Sequence, residues 1–256
     1  MSMENQTPEF LQRSVGNRVA YNRNAGQQPG VVFLHGLMSD RNGTKAMVLA
    51  GHCARQGRSC VRFDMFGHGE SSGKFEDGNI SRWTEDALAI LDELTEGPQI
   101  LVGSSMGGWV MVRAAMKRPE RIAGLIGIAP GPDFTEDLML AEFTAAQRQQ
   151  LESSGVVNVQ SEYDERPYPI TRQLIDDGRA NMVLRGPIPI TCPVRLFHGC
   201  KDEAVPYEVS LRLAEKITGE DVSVVLVKNG DHRLSSPGDL RRLCAAVDEI
   251  SSLAGL

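Results

Sequence analysis

The sequence predicts a doubly wound α/β domain on a mostly parallel sheet, interrupted once by an inserted helical cap. Three observations predict it. Short β-branched runs alternate with stretches of helical periodicity, and a Gly-Ser-Ser-Met-Gly-Gly turn joins one such run to the helix after it. One later segment is richer in Gln, Glu, Asp and Pro than the rest and breaks the alternation.

The strands read as Val31 to Leu34, Val61 to Phe63, Gln99 to Val102, Gly124 to Ile128, Val194 to Phe197 and Val222 to Val227. Four of these runs are nearly all apolar, as strands covered on both faces should be. Between them Thr44 to Gln56, Ser81 to Thr95, Met106 to Lys117, Tyr207 to Ile217 and Pro237 to Ser252 carry apolar residues at helical spacing. Ser81, with Glu85 and Asp86 nearby, and Pro237 after Ser236 are helix-start signals. From Gly131 to Pro193 helical stretches fall near Asp137 to Leu151 and Ile170 to Asn181, anchored by Leu138, Phe143, Leu174 and Met182. Residues 1–130 and 194–256 therefore read as one core domain. Residues 131–193 read as a cap over the C-terminal edge of the sheet, where open α/β sheets bind ligands. A disordered linker is the alternative, and the continuing helical periodicity argues against it.

At 256 residues, with 41% hydrophobic and 23% charged residues, the chain is long enough to bury a sizeable core. A formal net charge of -6 argues against a nucleic-acid or anionic-membrane partner, since both call for clustered Lys and Arg. No apolar stretch is long enough to span a bilayer. Cys53, Cys60, Cys192, Cys200 and Cys244 are odd in number and scattered, which suits reduced thiols. With a polar N-terminus from Met1 to Arg13, a cytoplasmic location is expected. His35, His52 and His68 lack metal-ligand spacing, so no metal is expected.

The turn Gly103-Ser104-Ser105-Met106-Gly107-Gly108 follows one strand and opens a helix, which is the setting of a nucleophile elbow. Ser105 is the candidate nucleophile, exposed on a strained turn; Ser104 is the rival hydroxyl and would lack a glycine two residues ahead. A serine at its free pKa is a poor nucleophile, so it needs a base, and the base needs an orienting acid. Behind such an elbow the acid and then the histidine follow the serine along the chain. Downstream lie His198, at the end of an apolar strand, and His232, in a loop at the same sheet edge; His232 is the preferred base. Asp202, in the loop after the Val194 strand, is the preferred acid, with Glu203 and Asp231 as alternatives. The backbone N–H groups of Met106 and Leu37 are the expected donors to an oxyanion. His35 then shapes the loop that carries Leu37. Trp109 either lines a substrate slot or packs. Asn181 and Arg179 bear on substrate preference only if they face the pocket. The run Asp64-Met65-Phe66-Gly67-His68-Gly69-Glu70-Ser71-Ser72 lacks the Walker lysine and reads as a structural turn.

These residues resemble the α/β-hydrolase superfamily. A narrower likeness rests on His35-Gly36-Leu37-Met38-Ser39-Asp40, on Asn42-Gly43-Thr44-Lys45-Ala46, on Gly97-Pro98-Gln99 leading to Gly103–Trp109, and on Asp231-His232-Arg233. It is with the mitochondrial palmitoyl-protein thioesterases, also described as acyl-glucuronide esterases, and their bacterial relatives. The resemblance runs from about Val31 to Ile250 and is weakest in the cap. It implies a cofactor-free serine esterase or thioesterase working through an acyl-enzyme, with Ser105, Asp202 and His232 on the family's nucleophile, acid and base. The expected partner is a small ester or acyl-thioester, or an acylated protein. A C–C bond hydrolase, an acyltransferase and a non-catalytic receptor are the alternatives.

Overall fold

A computed structural model describes residues 7–13, 16–160 and 167–254. Residues 1–6 of the N-terminal reading and residues 161–166 of the expected cap lie outside the described residues. An eight-stranded sheet runs in the order β1 (Glu9–Gln12), β2 (Arg18–Asn24), β4 (Arg58–Phe63), β3 (Gln27–Leu34), β5 (Gln99–Ser104), β6 (Ile122–Ile128), β9 (Val194–Gly199) and β10 (Val222–Val227). β1 and β2 pair antiparallel, as do β2 and β4; every pairing from β4 to β10 is parallel.

Parallel neighbours need long crossovers. α1 (Thr44–Arg55), α2 (Ile80–Leu94), α3 (Met106–Lys117) and α6 (Glu208–Lys216) supply these, and α7 (Pro237–Leu253) closes the chain. The period-two alternation of strand side chains divides the core in two. Val31 and Phe33, Ile100 and Val102, and Ile126 and Ile128 pack with Leu49 of α1 and Val247 of α7. Val32, Leu34, Leu101 and Leu125 point the other way, toward Trp83 of α2 and Met111 of α3. Every residue of β5 is buried, which explains the apolar run from Ile100 to Val102.

The departures from the expected elements have physical causes. β1 and β2 carry Arg, Asn, Glu and Gln among their few apolar residues, so a search for apolar runs passes over them; the antiparallel β2 still buries Val19 to Asn22. β10 is a sheet edge, and its Val225 and Leu226 are exposed. α2 begins one residue before Ser81, because the Asn79 side chain accepts the Arg82 N–H at 2.9 Å and caps it. Between β6 and β9 the chain builds a π-helical turn (Thr135–Leu140), α4 (Ala145–Ser154), a two-stranded antiparallel sheet of β7 (Val156–Val159) and β8 (Tyr168–Thr171), and α5 (Arg172–Ala180). The helical stretch expected from Asp137 to Leu151 is thus broken before Ala145, where Thr144 and Gln147 form a capping box that starts a fresh helix. Among the described residues no helix is long and apolar enough to cross a membrane.

The loop after β3 is held by a buried ion cluster. Arg41, 2% exposed, pairs its guanidinium with the fully buried Asp64 and with Glu70, and its N–H donates to Asp64 Oδ1 at 2.7 Å. The turn after β4 is tied to α2, where Asp86 accepts the Phe66 N–H at 2.8 Å. Burial pushes the Asp86 carboxyl up to about 6, against the pull of that hydrogen bond. A carboxyl whose folded pKa lies above its unfolded value costs stability as pH rises through the window between the two. Asp86→Asn keeps an acceptor for Phe66 and removes the charge. We expect it to stabilise the fold by on the order of 2 kcal/mol at pH 8, with the gain fading toward pH 4. Urea denaturation at the two pH values checks this, and a destabilised variant at pH 8 contradicts it.

Candidate active site

β5 ends in Ser104, and the next residue, Ser105, stands at φ +54° and ψ -121°, a left-handed conformation that a side chain adopts only under constraint. The constraint is visible on both sides of the turn. The Ser105 N–H donates to the Ile128 carbonyl at 3.0 Å, and its carbonyl accepts the N–H groups of Gly108 at 2.8 Å and Gly131 at 3.0 Å. A Cβ at Gly107 would stand 2.2 Å from the Leu34 carbonyl oxygen, so α3 reaches β3 this closely only with glycine there.

The structure brings Ser105, His232 and Asp202 into one hydrogen-bonded line. His232 Nε2 lies 3.0 Å from Ser105 Oγ, and its Nδ1 lies 2.8 Å from Asp202 Oδ2. With Nδ1–H donating to the carboxylate, the Nε2 lone pair is turned to the hydroxyl. The Asp202 side chain has no exposed surface, and its Oδ1 accepts the N–H groups of Ala204 at 3.0 Å and Val205 at 2.8 Å. Burial alone would raise the Asp202 pKa. The hydrogen bonds from His198 and His232 outweigh it and hold the carboxyl well below the usual carboxylate range.

His198 is the residue that sequence reasoning undervalued. Its buried ring lies with Nε2 3.1 Å from Asp202 Oδ2 and 2.9 Å from the Val205 carbonyl, and with Nδ1 2.7 Å from Ser210 Oγ. Two acceptors at Nε2 place the proton there, so His198 donates to the acid. The available signal was its position four residues before Asp202, at a strand end on the same sheet edge. Asp231, the rival acid, is exposed and accepts the Leu234 N–H at 3.0 Å; Glu203 is exposed at the mouth of the cleft.

Above the line opens a cavity of about 610 Å³. Leu37, Met38, Phe134, Leu138, Met139, Val159, Tyr168 and Val205 are its main apolar lining, and Ser39, Asp40, Thr44, Lys45, Glu142, Gln160, Glu203, Arg233 and Ser235 its polar lining. Burial pulls the Lys45 ammonium down to about 8, and its Nζ donates to the Arg233 carbonyl at 2.6 Å. Neither the Leu37 nor the Met106 N–H is bonded to an acceptor among the described residues. Among those residues, no group of three or more His, Cys, Asp or Glu is placed to hold a metal ion.

The slot role for Trp109 is corrected by its packing. Trp109 is fully buried outside the cavity lining, packs edge-on to Phe134 at 5.6 Å, and donates its indole N–H to the Asn181 carbonyl at 3.1 Å. A large apolar residue at the start of a helix under an overlying segment is worth more as a seam than as a surface. Asn181 and Arg179 also lie outside the lining. Asn181 bonds Ser81 and Asp177, and Arg179 pairs with Glu136 at 2.7 Å.

A family model described as alpha/beta hydrolase fold matches residues 29–159. The mitochondrial palmitoyl-protein thioesterase ABHD10 of Mus musculus is 41% identical over 94% of this chain and 81% of that protein. Its Homo sapiens counterpart is 38% identical over 94% of this chain and 79% of that protein. The solved mouse structure superposes with a TM-score of 0.89 at 39% identity, covering 96% of this chain and 98% of that one. A solved structure from Agrobacterium vitis gives a TM-score of 0.91 at 40% identity, covering 96% and 100%. The expected cytoplasmic location is overturned here, because these mammalian relatives are mitochondrial proteins.

His198→Leu leaves the Asp202 carboxylate short of one donor. Losing a hydrogen bond to a charged group costs about 1.5–3 kcal/mol. The rate of fluorophosphonate labelling should therefore fall by about tenfold or more in this variant, with His198→Gln closer to the parent. An unchanged labelling rate in His198→Leu would remove His198 from the line.

Proposed function

The chain belongs to the α/β-hydrolase family, in the group of the ABHD10 palmitoyl-protein thioesterases, and on that premise we propose that it is a serine hydrolase cleaving S-acyl thioesters and activated carboxylic esters. The observation that carries the reading is the unbroken hydrogen-bonded line from Ser105 Oγ through His232 to Asp202. In this reading Ser105 attacks the acyl carbonyl as His232 takes its proton. Asp202 holds the imidazole in the Nδ1–H tautomer and stabilises the imidazolium. The N–H groups of Leu37 and Met106 receive the developing oxyanion; one such donor is worth about 10²–10³ in rate. His232 returns its proton to the leaving thiol or alcohol, then activates water against the acyl-enzyme.

The acyl chain belongs against the apolar wall, and residues 131–193 act as a cap, since Phe134, Leu138, Met139, Val159 and Tyr168 all come from that segment. The leaving group then faces the adjacent Lys45 and Arg233. The carboxylate of Asp202, held ionised by its donors, stays charged throughout the neutral range and sets no limit on activity there.

The test is hydrolysis of palmitoyl-thioester probes and p-nitrophenyl esters by the parent and Ser105→Ala. Turnover should fall about 10⁴-fold or more in the variant, with fluorophosphonate labelling abolished. Turnover that persists in Ser105→Ala would sink the serine mechanism. A second expectation concerns acyl length. Each methylene buried against the wall is worth about 0.8 kcal/mol, or roughly fourfold in kcat/KM, until the wall is full. Leu138→Trp should shorten the preferred chain. A flat length profile in both proteins would place the acyl chain elsewhere.

A further inference from the structure

Two buried histidines take no part in the line at Ser105, yet both close on the loop after β3. His35, 1% exposed, has Nε2 3.0 Å from the Met65 N–H, and its Nδ1 lies 2.8 Å from the Gly36 carbonyl. An imidazole nitrogen that accepts an N–H carries no proton, so the proton sits on Nδ1 and is donated to Gly36. His68, 5% exposed, repeats the pattern. Its Nε2 accepts the Met38 N–H at 3.3 Å, and its Nδ1–H meets the Phe66 carbonyl at 3.0 Å. The rings lie 4.8 Å apart. Burial lowers His35 to about 4 and His68 to about 3, so both stay neutral at neutral pH.

Their bonds fall on consecutive peptides beside the serine. A Cβ built on Gly36 would come 3.3 Å from Ser105 Cβ, so this backbone lies against the nucleophile. The Gly36 carbonyl also accepts the Ser39 N–H at 3.2 Å, closing a turn with Met38 in the left-handed region at φ +55°. In a trans peptide the carbonyl and the N–H point in opposite directions. Turning the Gly36 carbonyl onto His35 therefore aims the Leu37 N–H away from His35. Met38 is not a glycine, so its backbone resists this turn, and the His68 acceptor holds its N–H in place.

We propose that His35 and His68 are positioning residues for the reaction: His35 fixes the plane of the Gly36–Leu37 peptide, and His68 pins the strained Met38, so that the Leu37 N–H stays aimed at the oxyanion. This rests on the reading of Leu37 as an oxyanion donor. It gives a task to the turn from Asp64 to Ser72, which supplies His68 and, through Met65, the anchor for His35.

Amide replacements separate the two geometries. Asn places its amide N–H₂ where Nδ1 of a histidine lies, and Gln places a carbonyl oxygen near the position of Nε2. At residue 35 the donor to Gly36 matters, so His35→Asn should outperform His35→Gln. At residue 68 the acceptor for Met38 matters, so the order reverses and His68→Gln should outperform His68→Asn. We expect the poorer amide at each site to lower kcat about 10- to 100-fold with KM changed less than about threefold, since one misaimed oxyanion donor is at stake. Affinity for a trifluoromethyl ketone, which forms a tetrahedral adduct with the serine, should fall in parallel, while affinity for the carboxylic acid product should not. Equal kcat for the Asn and Gln variants at either site overturns the assignment of that histidine, as does a loss confined to KM. Ser105→Ala is run alongside. If it retains turnover, the serine reading has failed; if it is dead and the amides are equal, only the positioning roles have failed.

Discussion

The left-handed backbone of Ser105 is the constraint around which the molecule is arranged. It costs conformational energy, and it survives because its surroundings over-determine it. The Ser105 N–H and carbonyl are bonded to Ile128, Gly108 and Gly131. Gly107 lets α3 lie against β3 with no side chain between them. A parallel sheet then does the rest: the loops after β3, β5, β9 and β10 all emerge at one edge, so Leu37, Ser105, Asp202 and His232 meet although the first and last are 195 positions apart.

Much of this was legible in the sequence, and for identifiable reasons. A strand covered on both faces is mostly apolar, and a strand–turn–helix with small residues around a serine has few other uses, so β5 and Ser105 stood out. Asp202 and His232 followed from their places after later strands. The residues that were missed act through partners that sequence spacing does not reveal. His198 looked like an ordinary buried histidine until its ring was found against Asp202. For Trp109 the sequence left slot and packing open, and its place on the helix decides for packing, against Phe134 and the Asn181 carbonyl. β2 was hidden by its polar ends, and the sheet of β7 and β8 by its brevity.

The polar groups near the site are organised by burial. Asp202 is shielded yet kept ionised by four donors, two from rings and two from backbone. Arg41 and Asp64 form a pair that solvent scarcely reaches, and removing one partner of such a pair commonly costs 3–5 kcal/mol because the other is left uncompensated. His35 and His68 are held uncharged by the same low-polarity surroundings. The loop facing the serine is therefore fixed at its start, middle and end by groups in different protonation states, each matched to its partner.

The two tryptophans give this architecture its own optical reporters. Trp83 is buried beside His68 at 5.5 Å and donates to the Phe66 carbonyl, the same oxygen that holds the His68 ring. Trp109 is buried against Phe134 and Asn181. Intrinsic emission thus comes from two sheltered indoles, one at the seam between α2 and the turn after β4, the other at the seam between α3 and the segment over the cleft. A red shift in emission registers water entering one of these seams, and replacing either indole by phenylalanine assigns the signal to the other.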